Sequence, residues 1–393
     1  MNSPAQAWQA AWRRERMLLR RRPMDLAMLT LVPLMAVLLT WSLFWVGMPR
    51  GLPIAVLDGD HSSVSRQLLR LLDASPGLRV AARPADEREG QALLRQGAVY
   101  ALLAVPEGFA SEIKRGRAGR TVLLHNAQFA THSGLIQRDV RAVVGTLSAG
   151  VELSAREKRG ESPPGARAAV EPLRTALTTA YNTGLDYEQF LATALVPTLL
   201  HIFAMVAGAW ALGRELRDGT LGTLWGISHR AAPALLAKLL LPWGALVVID
   251  AAFFGALTAG RGWTPAGPVV PVLALHSTML ALYVALGAFA ALATRSLRTA
   301  LSAAGFITAP AFAYAGVAYP LLAMPIAAQA WAQALPITHV LAAQTAALQT
   351  GAPALHALLP QGFMLAGVTC VLFVACAALL PRCAQDRSAW GQR

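Results

Sequence analysis

Hydrophobic positions fall into two arrangements along this chain of 393 residues. Over 26–46, and again from about 191 to 381, they run almost without interruption. Over 51–190 they alternate with polar residues at the periods of strands and amphipathic helices. A helix needs about 20 apolar residues to cross roughly 30 Å of hydrocarbon. That length predicts six spans, at about 26–46, 191–212, 235–259, 270–293, 299–319 and 359–381. Residues 321–335 are also apolar, but Pro320, Pro325 and Pro336 interrupt them. A broken, re-entrant or interfacial helical pair over 320–358 is expected there, since irregular backbone at membrane depth needs protein or a water-lined cavity to satisfy its polar groups.

The segment between the first two spans predicts a folded domain. LPIAVLD (52–58), LRVAAR (78–83), AVYALLAVP (98–106) and TVLLHN (121–126) read as strands. SSVSRQLLRLLDAS (62–75), DEREGQALLRQG (86–97) and EGFASEIKRG (107–116) read as the helices between them. That alternation implies an α/β domain with a largely parallel or mixed sheet. Residues 131–190 read as a long helical stalk with a polar break at GESPPGAR (160–167), returning to the membrane. The expected fold is an α-helical integral membrane protein of six transmembrane helices with an inserted α/β, mixed-sheet domain. Its parts are a basic N-tail (1–25), a first span, the domain and stalk (51–190), five further spans with the segment 320–358 (191–381), and a short tail (382–393).

Composition agrees with a bilayer: 55% of residues are hydrophobic, 14% are charged and mean hydropathy is +0.46, against about 25% charged in a soluble chain. The formal charge of +13 is unevenly placed. Residues 51–190 hold 17 Lys/Arg against 15 Asp/Glu, and the rest of the chain holds 17 against 6. The basic excess therefore flanks the apolar segments. A nucleic-acid binder should carry it on a folded domain with stacking aromatics, so that class is set aside. Positive residues mark the cytoplasmic side of short loops. Six arginines in the N-tail, then Arg214, Arg217, Arg230 and Lys238, then Arg295 and Arg298, then Arg382, Arg387 and Arg393 lie on one side. Only Arg50 and Arg261 lie on the short connections of the other. Both termini are expected inside and the α/β domain outside. Segment 26–46 ends in WSLFWVGMPRG, with bulky residues where a signal peptidase needs small ones. It reads as a retained anchor with Trp41 and Trp45 at the outer interface. Cys370, Cys376 and Cys383 belong to the last span and its exit, so the sequence shows no disulfide framework and no zinc spacing.

The sequence carries no phosphate-binding glycine loop, HExxH or GxSxG. Work against a gradient would have to draw on a partner or an ion. Arg214-Glu215-Leu216-Arg217-Asp218-Gly219-Thr220 puts four charges in five residues after the second span. The helix must leave the membrane there, with Gly219 breaking it and Thr220 placed to cap a short helix over 221–229. This stretch is either a plain positive-inside loop or a foot that docks on a partner. His201, Asp250 and His276 are intramembrane polar groups, which are candidates for substrate or proton roles or simply interhelical hydrogen bonds. Asp250 and His276 are expected to share a polar cavity.

Four stretches resemble one known family: AWRRERMLLRRRP (11–23), IAVLDGDHSSVSRQLLRLL (54–72) with AVYALLAVPEGFASEIKRG (98–116), GRELRDGTLGTL (213–224) and AGVAYPLLAMPIAAQAWAQALPITHVL (315–341). They are similar to the elbow helix, the D-x-D-x-S and P-x-x-F segments, the charged E-x-x-x-G-T stretch and the outer loop of type-2 ABC exporter permeases with a large periplasmic domain. The resemblance covers essentially the whole chain. It departs at Leu224 and Trp225, where many relatives have a second acidic residue. It implies a non-enzymatic permease subunit of a bacterial inner-membrane exporter, moving a drug-like, lipid or other substrate outward. ATP and Mg would be handled by a separate ATPase subunit docked at Arg214, Glu215, Arg217, Asp218, Gly219 and Thr220. Gly316, Pro320, Pro325, Gln329, Pro336, Thr338 and His339 would shape an outer gate. A second permease, identical or related, would complete the pathway, and a periplasmic adaptor could meet the domain. The competing readings are a membrane-anchored receptor or assembly scaffold, and an ion-coupled carrier built on Asp250.

Overall fold

The structure, a computed structural model, describes residues 3–160, 181–182, 186–386 and 390. The chain divides into two compact units, 1–47 with 179–393, and 48–178. The first unit begins with α1 (Pro4–Arg21). Ser3 and Gln6 close a reciprocal capping box, and Pro4 supplies the pre-set first turn. Ala7, Ala11, Glu15 and Leu19 recur every four residues and form its buried stripe, so a glutamate stands where the period asks for an apolar residue. Pro23 starts α2 (Pro23–Leu29), and a kink at Thr30 leads into α3 (Leu31–Leu43). Together α2 and α3 make the first apolar crossing helix.

The second unit holds a four-stranded mixed sheet, ordered β2-β1-β3-β4. The strands are β1 (Leu52–Asp58), β2 (Leu78–Ala82), β3 (Ala101–Val105) and β4 (Val122–His125). β1 runs parallel to β2 and β3, with Ile54 opposite Ala101, while β4 is antiparallel to β3, with Ala101 opposite His125. Helices α4 (Ser63–Asp73), α5 (Glu87–Arg95) and α6 (Phe109–Lys114) make the connections, and α7 (Ala130–Lys158) follows β4. Strand alternation divides the core. Ile54, Val56 and Leu103 pack with Leu68, Leu72 and Ile136 on one face, and Ala55 and Leu102 with Val99 on the other. The D-x-D-x-S stretch is a structural knot. Asp58 accepts from the amides of Asp60 and His61 and from the Ser65 hydroxyl, and Asp60 accepts from the Ala110 amide at 3.1 Å. The expected polar break at 160–167 lies outside the described residues apart from Gly160, and of the stalk's return only 181–182 and 186–190 are described.

The first unit resumes in a π-helical turn (Glu188–Ala192) and α8 (Thr193–Arg217). Then come α9 (Leu221–Ser228), α10 (Ala231–Gly255) with a π turn to Gly260, and α11 (Val269–Thr294). Helices α8 and α11 form the heart of the bundle. A Cβ at Gly208 would overlap the Val284 carbonyl, and one at Gly287 would overlap the Met205 carbonyl. Small residues let the two backbones touch, which is how helices gain packing energy where lipid removes the hydrophobic drive. α12 (Leu297–Thr308) and α13 (Ala311–Tyr314) follow, then α14 (Ile326–Ala334), α15 (Pro336–Gln344) and α16 (Ala354–Gln385).

Among the described residues, five helices are long and apolar enough to cross a membrane: Pro23–Leu43, Glu188–Arg217, Ala231–Gly260, Val269–Thr294 and Ala354–Gln385. The expected span 299–319 is instead broken. α12 stops at Thr308, α13 has only four residues, and irregular backbone follows to Pro320. Pro310 sits in the break, where it has no N–H to continue the helical ladder. Within 320–358 the chain forms two short helices, α14 and α15, divided between Ala334 and Pro336.

Candidate functional site at the charged end of the bundle

Two of the charges that close α8 are turned inward rather than into solvent. Arg214 and Glu215 are 3% and 1% exposed. Glu215 accepts a two-pronged bond from Arg14 of α1, at 2.9 and 2.8 Å, and its Oε1 lies 2.6 Å from Lys238 Nζ of α10. Lys238 is buried and also donates to Glu15 Oε2 at 2.5 Å. Arg214 reaches Glu15 at 3.5 Å and pairs with Asp25 of α2. Three carboxylates thus meet three cations, and the cluster is neutral as a whole. Four helices (α1, α2, α8 and α10) each contribute, so the ions fix their mutual register. Buried ions are costly to desolvate, and only close, saturated geometry offsets that cost.

Thr220 stands at the N-cap position of α9, but it does not cap. Its hydroxyl donates to Glu215 Oε2 at 2.5 Å. Gly219 takes φ +67, which turns the chain from α8 into α9. Arg217 and Asp218 are more open. Asp218 accepts from Arg22 and from Arg217, both at 2.9 Å, and the Arg217 guanidinium lies 5.2 Å over the Trp210 ring. Burial alone would raise the pKa of Asp218, but its bonds from Arg217 and Arg22 hold it below the ordinary value. Arg22 is raised, chiefly by that same bond to Asp218.

The other end of α8 is fastened too. Glu188, 3% exposed, accepts from Trp41 Nε1 at 2.5 Å and from Arg261 Nε at 3.2 Å. Arg261 also donates to the Trp45 carbonyl at 2.7 Å and lies 4.4 Å over the Trp45 ring. Trp41 and Trp45 are therefore ligands of an ion pair as well as aromatic residues near the end of the first crossing helix.

Asp250 and His276 meet directly, Oδ2 to Nδ1 at 2.9 Å, both fully or nearly buried. Their other polar atoms, Asp250 Oδ1 and His276 Nε2, have no hydrogen-bond partner. His201 is separate from them. It packs edge-on against Tyr283 at 4.7 Å, and its Nδ1 bonds the Thr198 carbonyl. The suggested gate residues fix the turns around α14 and α15. Gly316 has φ +79, and Pro320 precedes a short 3-10 turn. Pro325 is the N-cap of α14, and Pro336 is the first residue of α15. Gln329 donates to the Met324 carbonyl at 2.8 Å, and His339 Nε2 bonds the Gln333 carbonyl at 2.8 Å. Thr338 is buried. Among the described residues no group of His, Cys, Asp and Glu could hold a metal ion.

A family model described as ABC-2 family transporter protein matches residues 25–379. The chain belongs to the ABC-2 transporter family. Comparison with curated proteins and with solved structures gave no match. As an ABC-2 chain it is a multi-pass membrane component of an ABC transporter, and membership implies an ATP-binding partner. Sequence reasoning gave no site role to Arg14, Glu15, Asp25, Lys238, Glu188 or Arg261, and Lys238 and Arg261 entered only as loop charges. Glu15 gave the one local signal, an acid on the apolar stripe of an arginine-rich helix.

Proposed function

We propose that this ABC-2 chain is the permease subunit of an inner-membrane exporter. Its N- and C-termini are cytoplasmic, its α/β unit is periplasmic, and the broken helix α12–α13 serves as the sixth crossing. A cytoplasmic ATPase docks at α9 and the surface around Arg217, Asp218 and Gly219. A second permease, identical or related, completes the path. The observation that carries this reading is the neutral six-ion cluster of Arg14, Glu15, Asp25, Arg214, Glu215 and Lys238. It welds the amphipathic α1 to the inner ends of three crossing helices, so a push on α9 is passed to all of them. Arg214 and Glu215 act inside that weld, and Arg217, Asp218 and Gly219 face the partner. Grooves of ≈ 440 and ≈ 580 Å³ on the bundle flank are lined almost wholly by apolar side chains, Thr278 and Thr30 excepted, which suits a poorly charged cargo.

The test is co-expression with a candidate ATPase, followed by purification and measurement of ATP hydrolysis. Wild-type chain should retain the ATPase. Asp218→Ala with Arg217→Ala should release it while the chain stays folded in the membrane. Undiminished retention in that double variant would remove the docking assignment.

A further inference from the structure

Helix α9 should not be stable on its own. It has eight residues, below the roughly 12–15 that make an isolated helix even marginal. Gly222 and Gly226 lie within it and Gly219 just before it, and each interior glycine costs about 1 kcal/mol relative to alanine. No side chain caps its start. Leu221 and Leu224 anchor one face in the bundle core. The face that bears Gly222 is covered by an indole from the other end of the chain.

Trp390 lies with its ring edge on Gly222. A Cβ built there would stand 2.5 Å from Cη2 and 3.1 Å from Cζ2 of the indole, so a larger residue would make the ring shift from this seat. The same ring reaches toward Gly219, with Cε3 3.9 Å from the corresponding Cβ position. Trp390 Nε1 donates to the Cys383 carbonyl at 3.1 Å, tying the indole to the last turn of α16. Arg295 holds the exit of that helix by bonding Asp386 at 2.6 Å. The indole thus spans from the end of α16 to the first turn of α9.

We propose that Trp390 is a positioning residue for α9: it braces the glycine-rich helix from outside and sets the shape that α9 presents to a cytoplasmic partner. The ring supplies the packing surface that Gly222 lacks, and the glycine supplies the clearance the ring needs. The step from a braced helix to partner binding rests on the docking reading above; the brace itself does not.

The experiment uses the full chain in lipid nanodiscs, with and without its co-expressed ATPase. Amide hydrogen exchange over 219–229 is compared in wild type, Trp390→Ala, Trp390→Phe and Gly222→Ala. Trp390→Ala should speed exchange there by up to about tenfold, the scale of one aromatic contact, with α8 and α11 unchanged. Gly222→Ala should do the same by expelling the ring, although alanine is the better helix former. Trp390→Phe should restore part of the protection. Unchanged exchange over 219–229 in Trp390→Ala, or a rise spread across the whole bundle, would overturn the brace. Faster local exchange with undiminished ATPase retention would keep the brace and count against docking at α9.

Discussion

At the scale of single residues, Lys238 offers a sharp test because it is a buried cation. It stands between Glu15 and Glu215 with no solvent contact. Lys238→Met keeps the length of the side chain but leaves two carboxylates short of a cation. Breaking one partner of a buried pair costs about 3–5 kcal/mol, so the melting temperature of the purified chain should fall sharply. Adding Glu15→Gln should recover part of the loss, since the cluster returns toward neutrality. Asp218 gives a contrasting case. Its folded-state pKa lies below its ordinary value, so its bonds stabilise the fold above about pH 4 and are lost as the pH falls through the depressed value. The pair with Arg22 is partly exposed, and solvent screening limits it to at most about 1 kcal/mol. Asp218→Asn should therefore leave stability at pH 7 within about 1 kcal/mol of wild type and flatten its dependence on acid below pH 4, read by thermal unfolding across pH. None of this pairing was legible in the sequence. Glu215 finds Arg14 201 positions away, and periodicity reports only on neighbours within a turn or two. The sequence counted Lys238 only among the positive charges expected on the cytoplasmic side, and nothing local said that it points inward.

At the scale of elements, the close crossing of α8 and α11 leaves no room for a side chain at Gly208 or Gly287. Gly287→Ala places a methyl group on the Met205 carbonyl. Overpacking of this kind costs about 1–3 kcal/mol or more where backbone cannot yield, so this variant should lower the melting temperature more than Gly305→Ala, where a Cβ meets open space. The α/β unit was read well from sequence, because strands such as LPIAVLD are short, dense in branched residues and bounded by turn formers. The sheet order was not, as strand neighbours are set by tertiary packing. The span expected over 299–319 shows the opposite limit. Composition alone gives GFITAPAFAYAG an unbroken apolar profile, yet Pro310 denies the helix one rung and the chain leaves it at Thr308. Average apolarity counts side chains, whereas continuity of a helix depends on backbone donors.

For the molecule as a whole, α8 is tethered at both rims: by Glu215 and Arg214 at one end, and by Glu188 with Arg261 and Trp41 at the other. A strut pinned at each end resists shear against its neighbours. Among the described residues, the broken helix around Pro310 and the irregular run to Pro320 carry no such ion pair, so compliance is expected there. A covalent cross-link joining α1 to α10 should then be silent in turnover, because those parts already travel together. One bridging α12 to α13 across the fracture should stall the cycle with the ATPase still bound.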